Sequence, residues 1–485
     1  MLRENRPYKI LFVNPSARHS IRMELANDII EEYGTYPPLG LVYLASFLKL
    51  KCRYPMEGKI VDCIAEKMSD EALENTIRAY SPDMLAVTTY TPNFVDSLIA
   101  CDIAKKVNPG IKTFLGGHHT DSYPEETLSL PNVDMICRGE GEETMLKVIE
   151  TIIEGKDFSN IPGFGYFKDG KPVIDMSLPF ITDLDTLPLP DRSLINSNLY
   201  QSVLGSERIS ATVISSRGCP NLCTYCYSPS KKYRARSNSS IISELKEIEE
   251  SGIKEVYFFD DLFCLTPQRV IDLSKAILEE KITLRWSFRG RVNAVSEEMM
   301  IIAKKAGCER IHYGIETSDD RRLKIIKKNI TVDKIKKAVA MTRKHGIIAI
   351  GNFMIGLPGE TREEIYTTFR FMKELKLDYV EVGVLTPYPN TELYRDGLEK
   401  GIIKSDYWKT FAEDPKGVYP GFRPQVWTEH LSQEELFKLA HKGFSHFYMR
   451  PAHVLKTFMK VRSPKEFLTM ARGGFALLFS TIKGD

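Results

Sequence analysis

Short apolar runs alternating with helix-periodic stretches recur in two separate parts of the chain, and this alternation leaves few folds open. In the first part the runs are residues 10–13, 59–61, 84–87, 113–115 and 135–137, with helical stretches over 39–50 and 94–107 between them. Strands this short and this apolar are buried on both faces, which calls for a parallel sheet with helices on each side. Residues 1–150 are therefore expected to form a doubly wound, Rossmann-like α/β domain whose ligands meet the carboxyl ends of its strands. A second series begins at Thr212 and continues through residues 256–259, 284–288, 310–314, 349–355 and 379–385. Ile241, Leu245 and Ile248 mark the helix after its first strand, and Gly252 stops it. Six such units over 207–400 predict a partial, TIM-like (β/α)6 barrel with its chemistry at the strand ends. Between the two, residues 151–206 are rich in Pro, Gly and Asp and read as a connector. From 401 to 485 the pattern turns mostly helical, with a capping box between Ser432 and Glu435.

Composition excludes several classes. Apolar residues at 43% and charged residues at 27% are those of an ordinary globular protein. Sixty-six basic against sixty-four acidic residues, a net charge of +2, argue against a nucleic-acid partner. The opening MLRENRPYKILFVNPS lacks the apolar stretch of a signal peptide, and no run has the length of a bilayer span. A cytoplasmic location is the expectation. Nine cysteines are then read as buried thiols, metal ligands or reactive groups rather than disulfides.

Three of those cysteines are clustered. Cys219, Cys223 and Cys226 lie within eight residues directly after a strand. Thiolates are the usual protein ligands of iron–sulfur clusters, and a short loop can wrap one without long-range closure. Three ligands for four irons leave one iron open to a small molecule's amino and carboxylate groups. The alternatives are a zinc knuckle lacking its fourth ligand, or three buried thiols.

With Tyr225 before the last cysteine, the segment resembles the Cys-x3-Cys-x-aromatic-Cys signature of the radical S-adenosylmethionine (SAM) superfamily. The resemblance extends over about 200 residues. It implies a [4Fe–4S] cluster on the three cysteines and a SAM site drawn from Tyr225, Asp260 and Asp261 at the second strand end, Arg291 (with Arg289 beside it) after the third, Glu316 in Gly314-Ile315-Glu316-Thr317, and Gly356 in Gly356-Leu357-Pro358-Gly359. The sixth motif departs from the family pattern, with Asn390 where glycine is common. The amino-terminal part resembles the cobalamin-binding domain that precedes the barrel in one branch of the superfamily, through residues 37–45, Gly116-Gly117-His118-His119-Thr120 and Arg138-Gly139-Glu140-Gly141-Glu142. That implies corrin contacts from Asn14, Thr88, Gly116, Gly117, His119, Gly139 and Glu140. Ile64 stands where cobalt-ligating relatives carry histidine, so a bound cobalamin is expected base-off, with no histidine from the second-strand loop. A generic nucleotide-binding or response-regulator sheet is the plainer reading of this domain.

By this resemblance the chain is an enzyme. It would use a 5′-deoxyadenosyl radical and methylcobalamin to methylate an unactivated carbon, with ferredoxin or flavodoxin as electron donor. Oxidative or cyclising chemistry like that of the anaerobic cyclase of bacteriochlorophyll synthesis is the alternative, and a non-catalytic cobalamin-binding protein is the second. No acid, base or quenching thiol is assigned; Cys264 and Cys308 read as buried structure. From Leu436 onward nine basic residues face only Glu466 and Asp485, interleaved with phenylalanines. A basic amphipathic end suggests a lipid-like substrate and peripheral membrane contact; the other reading is that the phenylalanines cap the barrel.

Overall fold

The computed structural model describes residues 6–21, 35–201 and 209–450. The first sheet comprises β1 (Tyr8–Asn14), β2 (Met56–Asp62), β3 (Met84–Thr88), β4 (Lys112–Gly116), β5 (Met135–Cys137), β6 (Phe164–Lys168) and β7 (Lys171–Ile174), in the order β2-β1-β3-β4-β5-β6-β7. β1 to β5 pair in parallel. Alternation along β1 explains the double winding. Ile10 and Phe12 pack with Leu41, Val42 and Val148 of the helices Leu39–Lys51 and Gly141–Glu154. Leu11 and Val13 pack on the opposite face with Leu73, Ile77 and Leu98 of Asp70–Tyr80 and Phe94–Val107.

The sheet does not stop near residue 150. β6 returns antiparallel to β5, and β7 closes a hairpin on it, so the expected connector supplies two strands. Asp169 and Gly170 turn that hairpin with φ of 51° and 74°, the paired left-handed conformation of a two-residue turn. Asp-Gly between two β-prone runs was the signal, and the density of Pro and Gly around it obscured it.

The second sheet has β8 (Ser210–Val213), β11 (Glu255–Phe258), β12 (Arg285–Gly290), β13 (Cys308–Glu316), β14 (Ile348–Ile355) and β15 (Tyr379–Val384), in the order β15-β14-β13-β12-β11-β8, all parallel. Each strand neighbours the next in sequence, as a partial barrel requires. The two ends of the open sheet need covering. At β15 the Tyr448 hydroxyl donates to Val380 O at 2.8 Å and accepts from Val380 N at 3.0 Å. Beyond β8, Gln201 bridges both Thr35 and Ile209.

The carboxyl-terminal segment divides. Trp408 and Phe411 of the helix Tyr407–Glu413 enter the core of the first domain. Leu436, Phe437, Phe444 and Phe447 of Gln433–Tyr448 enter the core of the barrel. Those phenylalanines therefore cover the barrel. Residues 451–485, which carry most of the basic and aromatic positions behind the membrane reading, lie outside the described residues. Among the described residues no helix is long and apolar enough to cross a membrane.

Candidate active site at the facing strand ends

The cysteine loop leaves β8 and is clasped at its base by a two-stranded antiparallel ribbon, β9 (Ser216–Arg217) with β10 (Arg234–Ala235). Gly218 opens the loop with φ of 84°, and a Cβ there would lie 2.5 Å from Lys232 O. The Cys219 amide donates to Ser230 O at 3.1 Å, and Asn221 Nδ2 donates to Cys219 Sγ at 3.2 Å. Thr224 ties the loop to the barrel: its amide donates to Ile326 O at 3.1 Å, and its carbonyl accepts from Leu393 N at 2.9 Å. Although Cys226 is itself exposed, the atoms packed around its thiol desolvate it and push it up to about 11, with the nearby Cys223 and Cys219 adding to the effect. Among the described residues no group of three His, Cys, Asp or Glu is arranged to hold a single metal ion. Thiolates of a cluster each bind a different iron, so a cluster loop has no need of that convergence.

Tyr225 reaches away from the loop into the barrel mouth. Its hydroxyl donates to Glu316 Oε1 at 3.0 Å and accepts from Lys328 Nζ at 3.0 Å, and Lys328 also pairs with Glu316. Glu316 and Lys328 are both buried. Glu316 ends β13 with φ of 68°, at a register shift against β14. A bulge of this kind re-aims a side chain at a sheet's end. Gly314 is small for the same reason, since a Cβ there would sit 2.6 Å from both Glu316 Oε1 and Lys328 Nζ. Arg291 donates to Lys328 O and places Nη1 3.8 Å from Cys223 Sγ. The sequence reading missed Lys328; twelve residues beyond Glu316 in a loop, it carries no local signal.

Asp260 and Asp261 diverge. Asp260 is buried and spends its carboxylate on the turn before the cysteine loop, accepting from Ser215 N at 2.8 Å, Ser216 Oγ at 2.7 Å and Ser216 N. Burial lifts this carboxyl to about 6 against those hydrogen bonds. Exposed Asp261 accepts from Gly218 N at 3.1 Å. Gly356, with φ of 78°, directly follows β14; its amide and that of Leu357 donate to Glu360 Oε2 at 2.7 and 3.1 Å.

On the amino-terminal sheet, Asn14, Thr88 and Gly116 end β1, β3 and β4, and Gly139 follows β5. Gly117 has φ of 133°, and a Cβ would collide with Thr89 O. This edge faces the cysteine loop: His118 lies between Tyr90, tilted at 52°, and Tyr227, edge-on at 82°, with centroids 5.6 and 5.7 Å away, and Asn390 Nδ2 donates to Ser122 Oγ at 2.9 Å. Two residues named from the sequence sit elsewhere than at this open edge. His119 is fully buried against Phe94, its centroid 3.7 Å away, and burial lowers it to about 3, so it is neutral. Glu140 is turned to the barrel, pairing with Arg234 at 2.7 Å and Arg217 at 3.3 Å, while Glu142 pairs with Arg217 at 2.6 Å. Ile64 is exposed in the second-strand loop, where Asp62 Oδ1 accepts from the amides of Ile64 and Ala65, each at 3.1 Å. Cys264 and Cys308 are fully buried in the barrel core, away from the cysteine loop.

Comparison with known proteins fits both halves. Residues 213–372 match the radical SAM superfamily and residues 28–149 the B12 binding domain. An uncharacterized methyltransferase of Pyrococcus horikoshii is 32% identical over 453 residues, covering 92% of this chain and 94% of its own. The anaerobic magnesium-protoporphyrin IX monomethyl ester cyclase of Rubrivivax gelatinosus is 26% identical over 472 residues, covering 95% of this chain and 81% of its own. Among solved structures, the cobalamin-dependent SAM radical enzyme OxsB with aqua-cobalamin and SAM bound shares the fold at a TM-score of 0.73 and 16% identity, over 98% of this chain and 72% of that one. A relative so similar over nearly the whole of both chains, joined to both domain matches, places this protein in the family of cobalamin-dependent radical SAM enzymes.

Proposed function

We propose that the enzyme methylates an unactivated carbon of a small molecule, with a [4Fe–4S] cluster on Cys219, Cys223 and Cys226. The observation that carries this is the opposition of two strand-end edges across the cysteine loop, with Tyr90 and His118 on one side and Tyr227 and Asn390 on the other. When bound, the cluster with SAM supplies a hydrogen-abstracting radical, and the corrin supplies a methyl group. The chain's own residues position and exclude. The thiolates of Cys219, Cys223 and Cys226 would hold the cluster, and the guanidinium of Arg291 beside Cys223 would suit the carboxylate of a bound cosubstrate. Glu316, fixed by Tyr225 and Lys328, is a ready acceptor for a sugar hydroxyl. Asp261 stands past the end of β11 and Gly356 past the end of β14, on either side of β12 and β13. Asn14, Thr88, Gly116, Gly117 and Gly139 would line the corrin, and the Ile64 loop offers cobalt no nitrogen. His119 and Glu140 would act from behind this surface, one in the core and one toward the barrel. Ferredoxin or flavodoxin is the proposed donor.

Methylation is favoured over cyclisation because the relative that is more similar along the chain is named a methyltransferase. The anaerobically reconstituted protein, given corrinoid, deuteromethyl-labelled SAM and a small-molecule extract of its source cells, should pass labelled methyl to one extract component. Fragmentation of SAM with unlabelled products that have lost hydrogens would favour the cyclase-like reading.

A further inference from the structure

Strand positions that face into a barrel are normally filled. Here Arg289 on β12 and Phe259 just after β11 face inward yet are exposed, Phe259 at 39%. Strand register sets Arg289 beside His312 and Asn352 beside Glu381. On the opposite face, Phe288, Ile311 and Val382 pack in the core with the outer helices. Arg289 and Phe259 therefore line the mouth of the barrel. One wall is aromatic: Tyr36, from the amino-terminal domain, packs on Tyr257 and Phe259 with centroids 5.8 and 5.5 Å away. The Arg289 guanidinium lies over Phe259 at 4.9 Å from its centroid.

The charges narrow the occupant. Among the described residues Arg289 makes no ion pair, whereas Arg310, deeper in the lumen, is paired with Glu255. His312 is held neutral by burial, with Arg289 and Arg310 adding to the effect. Glu381 also makes no ion pair among the described residues and faces the same mouth. Burial raises the Glu381 carboxyl and the Arg289 charge draws it back down, so the two already compensate each other in part; a dianionic phosphate would be repelled by Glu381 more than a single carboxylate would. Arg291, and not Arg289, is the arginine beside the cysteines.

Resting on the proposed function, we infer that the substrate is a monocarboxylate with a flat unsaturated body, its carboxylate gripped by Arg289 and its π-face laid on Phe259 and Tyr257. Planar, forked guanidinium geometry matches a carboxylate, and the aromatic wall holds that guanidinium in place. The test is equilibrium dialysis of the reconstituted holoenzyme with SAM against 2-naphthoate and against its uncharged analogue 2-naphthylmethanol. Naphthoate should bind about tenfold or more tighter than the alcohol, and Arg289→Gln should remove that preference while leaving the alcohol unchanged. Phe259→Leu should weaken both probes. Iron content should persist in Arg289→Gln. Equal binding of the two probes, or a preference that survives Arg289→Gln, overturns the inference. Loss of SAM fragmentation in that variant would instead assign Arg289 to the cosubstrate. Absence of fragmentation in the parent enzyme would strike the proposed function and not the Arg289 site.

Discussion

Glu316 holds the Tyr225 hydroxyl at 3.0 Å, so the residue between the second and third clustered cysteines is bonded directly to the end of the fourth barrel strand. The loop and the barrel are thereby set in one register. Lys328 supplies the charge that makes a buried Glu316 tolerable. Removing one partner of such a pair leaves the other buried and uncompensated, at about 3–5 kcal/mol. Lys328→Met should destabilise the apoprotein by that order in denaturant unfolding and weaken SAM binding, whereas Lys328→Arg should retain most of both.

Glu360 gives the protein a pH dependence. Burial lifts its carboxyl to about 7, from an ordinary 4.5, against two backbone amides that hold it down. The folded chain thus holds this proton more tightly than the unfolded chain does. Its contribution is full below about 4.5 and is lost as pH rises through 7, on the order of 3 kcal/mol in all. Glu360→Gln keeps an oxygen for both amides and carries no charge. Its stability relative to the parent should rise between pH 5 and 8 in denaturant titrations; parallel curves would refute this.

Across the domain boundary, Arg217 and Arg234 pair with Glu140 and Glu142. Arg234 is buried and also donates to Ile181 O at 2.5 Å. Glu140→Ala should therefore cost about 3–5 kcal/mol and loosen the domains, seen as faster proteolysis of the 175–201 segment. Unchanged proteolysis and stability would show that the pairs do not fasten the domains.

Gly218→Ala tests the loop itself. A Cβ 2.5 Å from Lys232 O, at φ of 84°, forces the β9–β10 clasp apart. Iron retained after reconstitution should fall severalfold, while Gly170→Ala, where a Cβ meets nothing within 4 Å, should leave it unchanged.

Periodicity revealed the parallel strands because each is buried on both faces, so Ile10 to Val13 read as an unbroken apolar run. The β6–β7 hairpin was hidden because its exposed outer strand, at Lys171 to Val173, carries no such run. Within the site, spacing revealed the cysteines, since a loop ligand set is local. Long-range partners were not legible: Lys328 and Tyr36 come from other elements, and nothing near them announces their contact. Asp260 and Glu140 were legible as motif residues, but the structure spends both carboxylates on holding backbone or arginine. A carboxylate at a strand end serves a ligand or a turn with the same local sequence.

The cysteines bear the decisive measurement. The parent protein and a Cys219→Ala/Cys223→Ala/Cys226→Ala variant, reconstituted anaerobically side by side, should be assayed for bound iron and sulfide and for release of 5′-deoxyadenosine from SAM under reduction. About four irons in the parent with nucleoside release, and neither in the variant, is the predicted result. A variant that keeps its iron and still fragments SAM would contradict the assignment of these three thiolates.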